Sequence, residues 1–148
     1  MNRPRKFKFE KFTDSRGTVL KPPVGRGADS ALLEIQDAYI TQTNAGVVRG
    51  FHYQVEPYAQ TKVFGCLLGE VIVYAVDPRR QAFADVVSHV LEEWDAIVIP
   101  RGWGTATFSQ DGATYAFFSD SPYVPEAERS IDPARLGLGD LLAPRKKQ

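Results

Sequence analysis

The stretch Lys62-Val63-Phe64-Gly65-Cys66-Leu67-Leu68-Gly69-Glu70-Val71-Ile72-Val73-Tyr74-Ala75-Val76 decides the fold class. It contains two apolar runs of strand length, both far short of the roughly 18 residues that a membrane-spanning helix needs. Val71–Val76 is apolar at every position, the pattern of a strand covered on both faces rather than one. Gly69 before Glu70 reads as a tight turn, so the two runs are expected to pair as a hairpin. Working outward, Lys6–Phe12, Ala31–Thr43, Gly46–Gln54, Phe83–Leu91, Ala96–Ile99, Thr105–Ser109 and Ala113–Ser119 are also strand-like, and helical periodicity is nearly absent. Asp14-Ser15-Arg16-Gly17 reads as a turn, and Pro22-Pro23 with Gly25 and Gly27 as a loop. Such spacing of short strands predicts an all-β antiparallel sandwich or barrel. After Tyr123 the composition shifts to Pro125, Glu126, Glu128, Arg129, Asp132 and Pro133, so residues 124–148 are expected to wrap over the domain as a tail without a strong strand.

A chain of 148 residues is the size of one domain, and residues 1–148 are expected to share one core. Lys plus Arg and Asp plus Glu both total 18. That balance provides no net positive field for nucleic acid or an anionic membrane, and neither is expected as a partner. The basic residues at the two ends, including Arg3, Arg5, Arg145 and Lys146, read as solvated termini. Cys66, in an apolar run, reads as inert core with no disulfide partner. No apolar signal-like segment follows the charged start, and a soluble cytoplasmic protein is the expectation.

The chemistry concentrates in Gly46-Val47-Val48-Arg49-Gly50-Phe51-His52-Tyr53-Gln54. Imidazole, with an ordinary pKa of ~6.5, is the side chain best suited to accept a proton near neutral pH. A lone strand histidine is nonetheless more often structural than catalytic, so its company decides. Only His52 and His89 exist, too few for the three-histidine metal set common in related sandwiches, and no metal or cofactor is expected.

That company resembles the dTDP-4-dehydrorhamnose 3,5-epimerases, a family of jelly-roll, cupin-like proteins acting on 4-keto-6-deoxy nucleotide sugars. Asp14-Ser15-Arg16-Gly17 is similar to the family's D-x-R-G, Gly46–Gln54 to its G-V-L-R-G-L-H-Y-Q, and Ala59-Gln60-Thr61-Lys62 to its A-Q-x-K. Gly69-Glu70-Val71 with Ala75–Arg79, and Tyr123–Arg129 as a Y-x-P-E-x-E-R, complete the order. The resemblance implies a jelly-roll fold, a homodimer and proton transfer beside a C4 ketone. It implies His52 as base, Tyr123 as acid, Lys62 and Arg49 near the enolate oxygen, and Asp140 as the carboxylate that orients His52. Arg16, Arg49, Gln54, Gln60, Thr105, Tyr39 and Trp103 would contact the substrate.

Departures from the pattern fall on the substrate cradle. Thr105 stands where the family has a second histidine, and Asp37 and Tyr39 stand where it has a glutamine and an asparagine. A 3,5- or 3-epimerase is therefore the first reading. A sugar-nucleotide 3,4-ketoisomerase, or a binding module without turnover, are the alternatives.

Overall fold

The computed structural model of the chain describes residues 3–25, 32, 34–80 and 86–136. Their elements in order are β1 (Arg5–Lys8), β2 (Glu10–Asp14), β3 (Gly17–Lys21), β4 (Asp37–Thr43), β5 (Val48–Gln54) and β6 (Lys62–Gly69). Then follow β7 (Val71–Val76), β8 (Val87–Leu91), β9 (Asp95–Ile99), β10 (Gly104–Phe108), β11 (Ala113–Ser119) and β12 (Glu128–Ser130). One five-stranded sheet runs β1-β9-β6-β11-β4 and a second runs β12-β5-β10-β7-β8, with β2 and β3 forming a separate hairpin. Every pairing is antiparallel, which is the all-β cupin-like sandwich expected from the strand spacing.

The apolar periodicity explains the two layers. Phe64, Cys66, Ile97, Ile99, Tyr115 and Phe117 from the first sheet meet Val71, Val73, Ala75 and Leu91 from the second. The opposite face of β7 is covered as well: Ile72, Tyr74 and Val76 join Phe51, Ala106, Phe108 and Ile131 in a second cluster. This is why Val71–Val76 shows no polar alternation. The covering residue Ile131 belongs to the C-terminal segment, so that segment completes the core rather than merely lying on it.

The expected hairpin between β6 and β7 does not form. β6 pairs with β9 and β11, whereas β7 pairs with β8 and β10. Both strands press their apolar inner faces against each other across the sandwich, and a hairpin would have laid those faces side by side in one sheet. Gly69, at φ +82°, instead carries the chain from sheet to sheet, and a Cβ there would stand 2.7 Å from the Gly112 carbonyl oxygen. The C-terminal segment also differs from expectation. It contributes β12, which pairs Glu128 with Gln54, Arg129 with Tyr53 and Ser130 with His52. The run Lys6–Phe12 divides into β1 and β2, and the strand expected from Ala31 starts at Asp37.

One irregularity positions the chemistry. Along β10 the register against β5 shifts from Thr105 opposite His52 to Ala106 opposite Gly50, leaving Phe51 as the extra residue of a bulge. Residues three apart in a regular strand point to opposite faces; the bulge turns Arg49 and His52 to the same side. Gly50 sits at φ +115°, and a Cβ there would run into the Thr105 carbonyl oxygen. Gly50→Ala is therefore expected to cost at least about 2 kcal/mol through backbone strain and displacement of β10. For a domain of this size that is a fall in Tm of roughly 5–10 °C, read by circular dichroism. An unchanged Tm would contradict the role given to Gly50.

Candidate active site

The bulged face of β5 opens onto a cavity of about 490 Å³ between the two sheets. His52, Gln54, Thr105 and Thr107 line one wall, Tyr39, Lys62, Phe64 and Phe117 the other, and Tyr123 and Glu128 stand at its rim. Loss of polar contacts at such a depth is costly, so each buried polar group here must have a partner.

Lys62 shows how this is met. It is only 4% exposed, and its ammonium donates to the His52 carbonyl oxygen at 3.0 Å and to Thr105 Oγ1 at 2.9 Å. The first sheet is thus tied to the second at the level of the histidine. Burial pushes the Lys62 ammonium down from the usual 10.5 to about 7, against the opposing pull of the Glu128 charge. Thr105, in the position of the family's second histidine, is the hydroxyl that receives this bond.

His52 is held from its neighbouring strand. Nδ1 lies 3.2 Å from Ser130 Oγ and 3.4 Å from Glu128 Oε1. Nε2 has no protein partner among the described residues. The other oxygen of the same carboxylate, Glu128 Oε2, accepts the Tyr123 hydroxyl at 2.9 Å, and this bond raises the Tyr123 phenol above its ordinary value. Tyr39 stacks on Phe117 with ring centroids 4.5 Å apart, and burial pushes its phenol up to about 12. Arg49 donates to Thr43 Oγ1 at 3.3 Å from the cavity wall.

Not every residue implied by the resemblance comes to this cavity. Gln60 lines it, but Gln54, although on its wall, spends its amide on main chain. It donates to the carbonyls of Tyr58 (2.7 Å) and Pro122 (3.0 Å) and accepts from the Val124 amide (2.8 Å). Its evident work is to hold the loop that presents Tyr123. Trp103 does not line the cavity; it is 5% exposed and packs in the core with Phe64 and Ile99, at the end of a turn in which its amide donates to the Pro100 carbonyl at 3.2 Å. Arg16 sits at the tip of the β2–β3 hairpin, 2.6 Å from Asp14 and away from the cavity. Asp140 lies outside the described residues. His89 is on edge strand β8, opposite Val73. Among the described residues no group of three or more His, Cys, Asp or Glu is placed to hold a metal ion, and no helix is long and apolar enough to cross a membrane.

Glu128 and Ser130 were not singled out by the sequence as site residues, although Glu128 lies five positions after Tyr123 within the motif quoted above.

The Lys62 environment sets a pH dependence. An ammonium whose folded pKa lies below its unfolded value binds fewer protons when folded, so stability rises with pH between the two. The wild type is expected to gain stability as pH climbs from about 7 towards 10.5, and Lys62→Met to lose that gain. Denaturant unfolding at several pH values checks this; equal slopes in both proteins would contradict it.

The family profile for dTDP-4-dehydrorhamnose 3,5-epimerase matches residues 5–139. The dTDP-4-dehydrorhamnose 3,5-epimerase of Shigella flexneri is 35% identical over 139 residues, covering 84% of this chain and 74% of that protein. A dTDP-4-dehydro-6-deoxyglucose 3-epimerase from a Streptomyces species is 31% identical over 105 residues, covering 68% of this chain and 54% of that protein. The chain thus spans between about half and three quarters of these relatives' lengths. The fold also matches ChmJ, a 3'-monoepimerase from Streptomyces bikiniensis crystallised with dTDP-quinovose, at a TM-score of 0.77 and 22% identity. That match covers 99% of this chain and 81% of the other, and at this identity it speaks to fold alone. From its matched length and from its identity to the Shigella enzyme, the chain belongs to the dTDP-4-dehydrorhamnose 3,5-epimerase family.

Proposed function

We propose that this chain is an epimerase that moves a proton beside the C4 ketone of a dTDP-linked 4-keto-6-deoxy sugar, at C3, C5 or both. The observation that carries this reading is the meeting of an imidazole with an open Nε2 and a buried ammonium on one cavity, joined through the His52 main-chain carbonyl. The ketone acidifies its neighbouring C–H bonds. His52 Nε2 takes the proton, and the C–H electron pair moves into the ring to form the enolate. Lys62 stabilises the developing charge on the C4 oxygen. Donors preorganised in a dry site are commonly worth several kcal/mol of barrier at such a step. When the enolate collapses, carbon receives a proton on the opposite face, and Tyr123 is the residue to which the resemblance assigns that delivery. The sum is redox-neutral, so it calls for no cofactor.

The cradle differs from the family pattern at Asp37, Tyr39 and Thr105, all on the cavity wall. An aspartate there disfavours a closely placed diphosphate and favours a hydrogen-bond donor, which is the feature that keeps a non-catalytic binding module as the second reading. In the same proposal the protein is cytoplasmic and works as a homodimer. The β2–β3 hairpin supports the dimer: among the described residues it pairs with neither sheet, and it leaves Phe12 55% and Val19 65% exposed.

Solvent exchange tests the reading. In deuterium oxide with dTDP-4-keto-6-deoxyglucose, the wild type is expected to incorporate deuterium at C3, C5 or both, followed by proton NMR. His52→Ala is expected to slow this by roughly 10²–10⁴-fold. Equal exchange in that variant would remove His52 as base, and tight binding without exchange between about pH 6 and 9 would favour the binding module.

A further inference from the structure

We propose that Thr105 is a catalytic residue: its hydroxyl and the Lys62 ammonium form a two-donor oxyanion hole for the C4 oxygen, a role that rests on the epimerase reading. Lys62 enters from β6 in the first sheet and Thr105 from β10 in the second, and the two side chains meet with Nζ 2.9 Å from Oγ1. Thr105 stands directly opposite His52 in the β5–β10 register, so the pair sits at the level of the base. Both residues line the cavity, yet Lys62 is only 4% and Thr105 only 6% exposed. Polar hydrogens held at that depth are costly unless an acceptor meets them.

Counting donors singles these two groups out. An ammonium has three N–H donors and a hydroxyl has one O–H donor. Lys62 spends two of its three, on the His52 carbonyl at 3.0 Å and on Thr105 Oγ1. Among the described residues no acceptor meets the third, and none meets the Thr105 hydrogen, because Oγ1 enters that bond only as the acceptor. Accepting from the ammonium turns the Thr105 hydrogen away from Nζ and polarises the O–H bond, which strengthens it as a donor. A single oxygen can stand about 2.8 Å from each of two atoms that are 2.9 Å apart, and that near-equilateral triangle is how two donors share one oxyanion.

The charge that calls for both donors forms when His52 takes the proton from C3 or C5. The C–H electron pair becomes the C=C bond of the enolate, and the π pair of the C4 carbonyl moves onto its oxygen. Both pairs return when carbon is reprotonated, so no oxidant or reductant enters. Other donors on the wall are committed away from this point. Arg49 lies opposite Thr107, beyond Ala106 along β10, and donates to Thr43 Oγ1 at 3.3 Å. The Thr107 and Tyr115 hydroxyls bond each other at 2.9 Å. The Tyr123 hydroxyl donates to Glu128 Oε2 at 2.9 Å. Among the described residues, Thr105 carries the hydroxyl that is in hydrogen-bond contact with Lys62.

Two measurements separate a donor from a residue that merely holds Lys62. In solvent exchange into dTDP-4-keto-6-deoxyglucose, Thr105→Val is expected to lower kcat roughly 10²-fold with little change in KM, and Thr105→Ser to recover most of the loss. Because Thr105→Val alone leaves Lys62 short of an acceptor, the comparison is repeated with both partners apolar, where no group is orphaned. Lys62→Met with Thr105→Val is expected to be at least about tenfold slower than Lys62→Met alone. Equal rates there would mean that Thr105 acts only through Lys62, and would overturn the assignment. The carbonyl gives the second reading, independent of turnover. In a His52→Ala background, the infrared stretch of the carbon-13-labelled C4 ketone is expected to lie lower when bound than when free. Thr105→Val is expected to move it part of the way back and Thr105→Ser to leave it in place. A bound stretch unmoved by Thr105→Val, in variants shown to be folded by circular dichroism, overturns the proposal too. A carbonyl polarised through Thr105 in a wild type that exchanges no deuterium leaves the donor pair standing and removes the epimerase reading instead.

Discussion

Burying the Lys62 ammonium between two sheets is the constraint on which the site depends. A charge at 4% exposure needs acceptors, and the sandwich provides two from the opposite layer, the His52 carbonyl and the Thr105 hydroxyl. Those acceptors can meet it only if β5 and β10 hold their register through the Gly50 bulge. The same bulge turns His52 to the cavity side. One buried cation therefore links sheet spacing, strand register and the placement of His52. The cost of its burial shows in the fall of its pKa to about 7.

Around that tie the residues sort by what their polar atoms do. Gln54 is almost wholly spent on the loops that carry Tyr58 and Tyr123. Thr107 and Tyr115 satisfy each other within the sandwich. His52 lines the cavity with its Nδ1 engaged by Ser130, and among the described residues no partner meets its Nε2. Glu128, at the rim, joins the histidine, the phenol of Tyr123 and, through space, the lysine.

Strand content was legible because apolar runs such as Val71–Val76 are short, rich in β-branched residues and bounded by turn residues, with almost no helical periodicity beside them. Their pairing was not, because Gly69 serves a hairpin and a sheet-to-sheet crossing equally well; the deciding fact is which apolar faces meet, and that is a tertiary property. That His52 and Lys62 would share one cavity was legible from motif order. Glu128 and Ser130 were not, since β12 is a three-residue polar strand with no periodicity to mark it. Trp103 and Arg16 show the converse: a motif can place a residue in a family without showing where its side chain goes. The indole lies in the core and the guanidinium at a hairpin tip.

Whether Lys62 and His52 act together on one sugar ring is decided by a crystal structure with a dTDP-linked 6-deoxy sugar bound. The C4 oxygen is expected at hydrogen-bond distance, about 3 Å, from Lys62 Nζ, with C3 or C5 facing His52 Nε2. A sugar seated with C4 away from Lys62, or a His52 ring whose Nε2 is turned to Glu128, would contradict it.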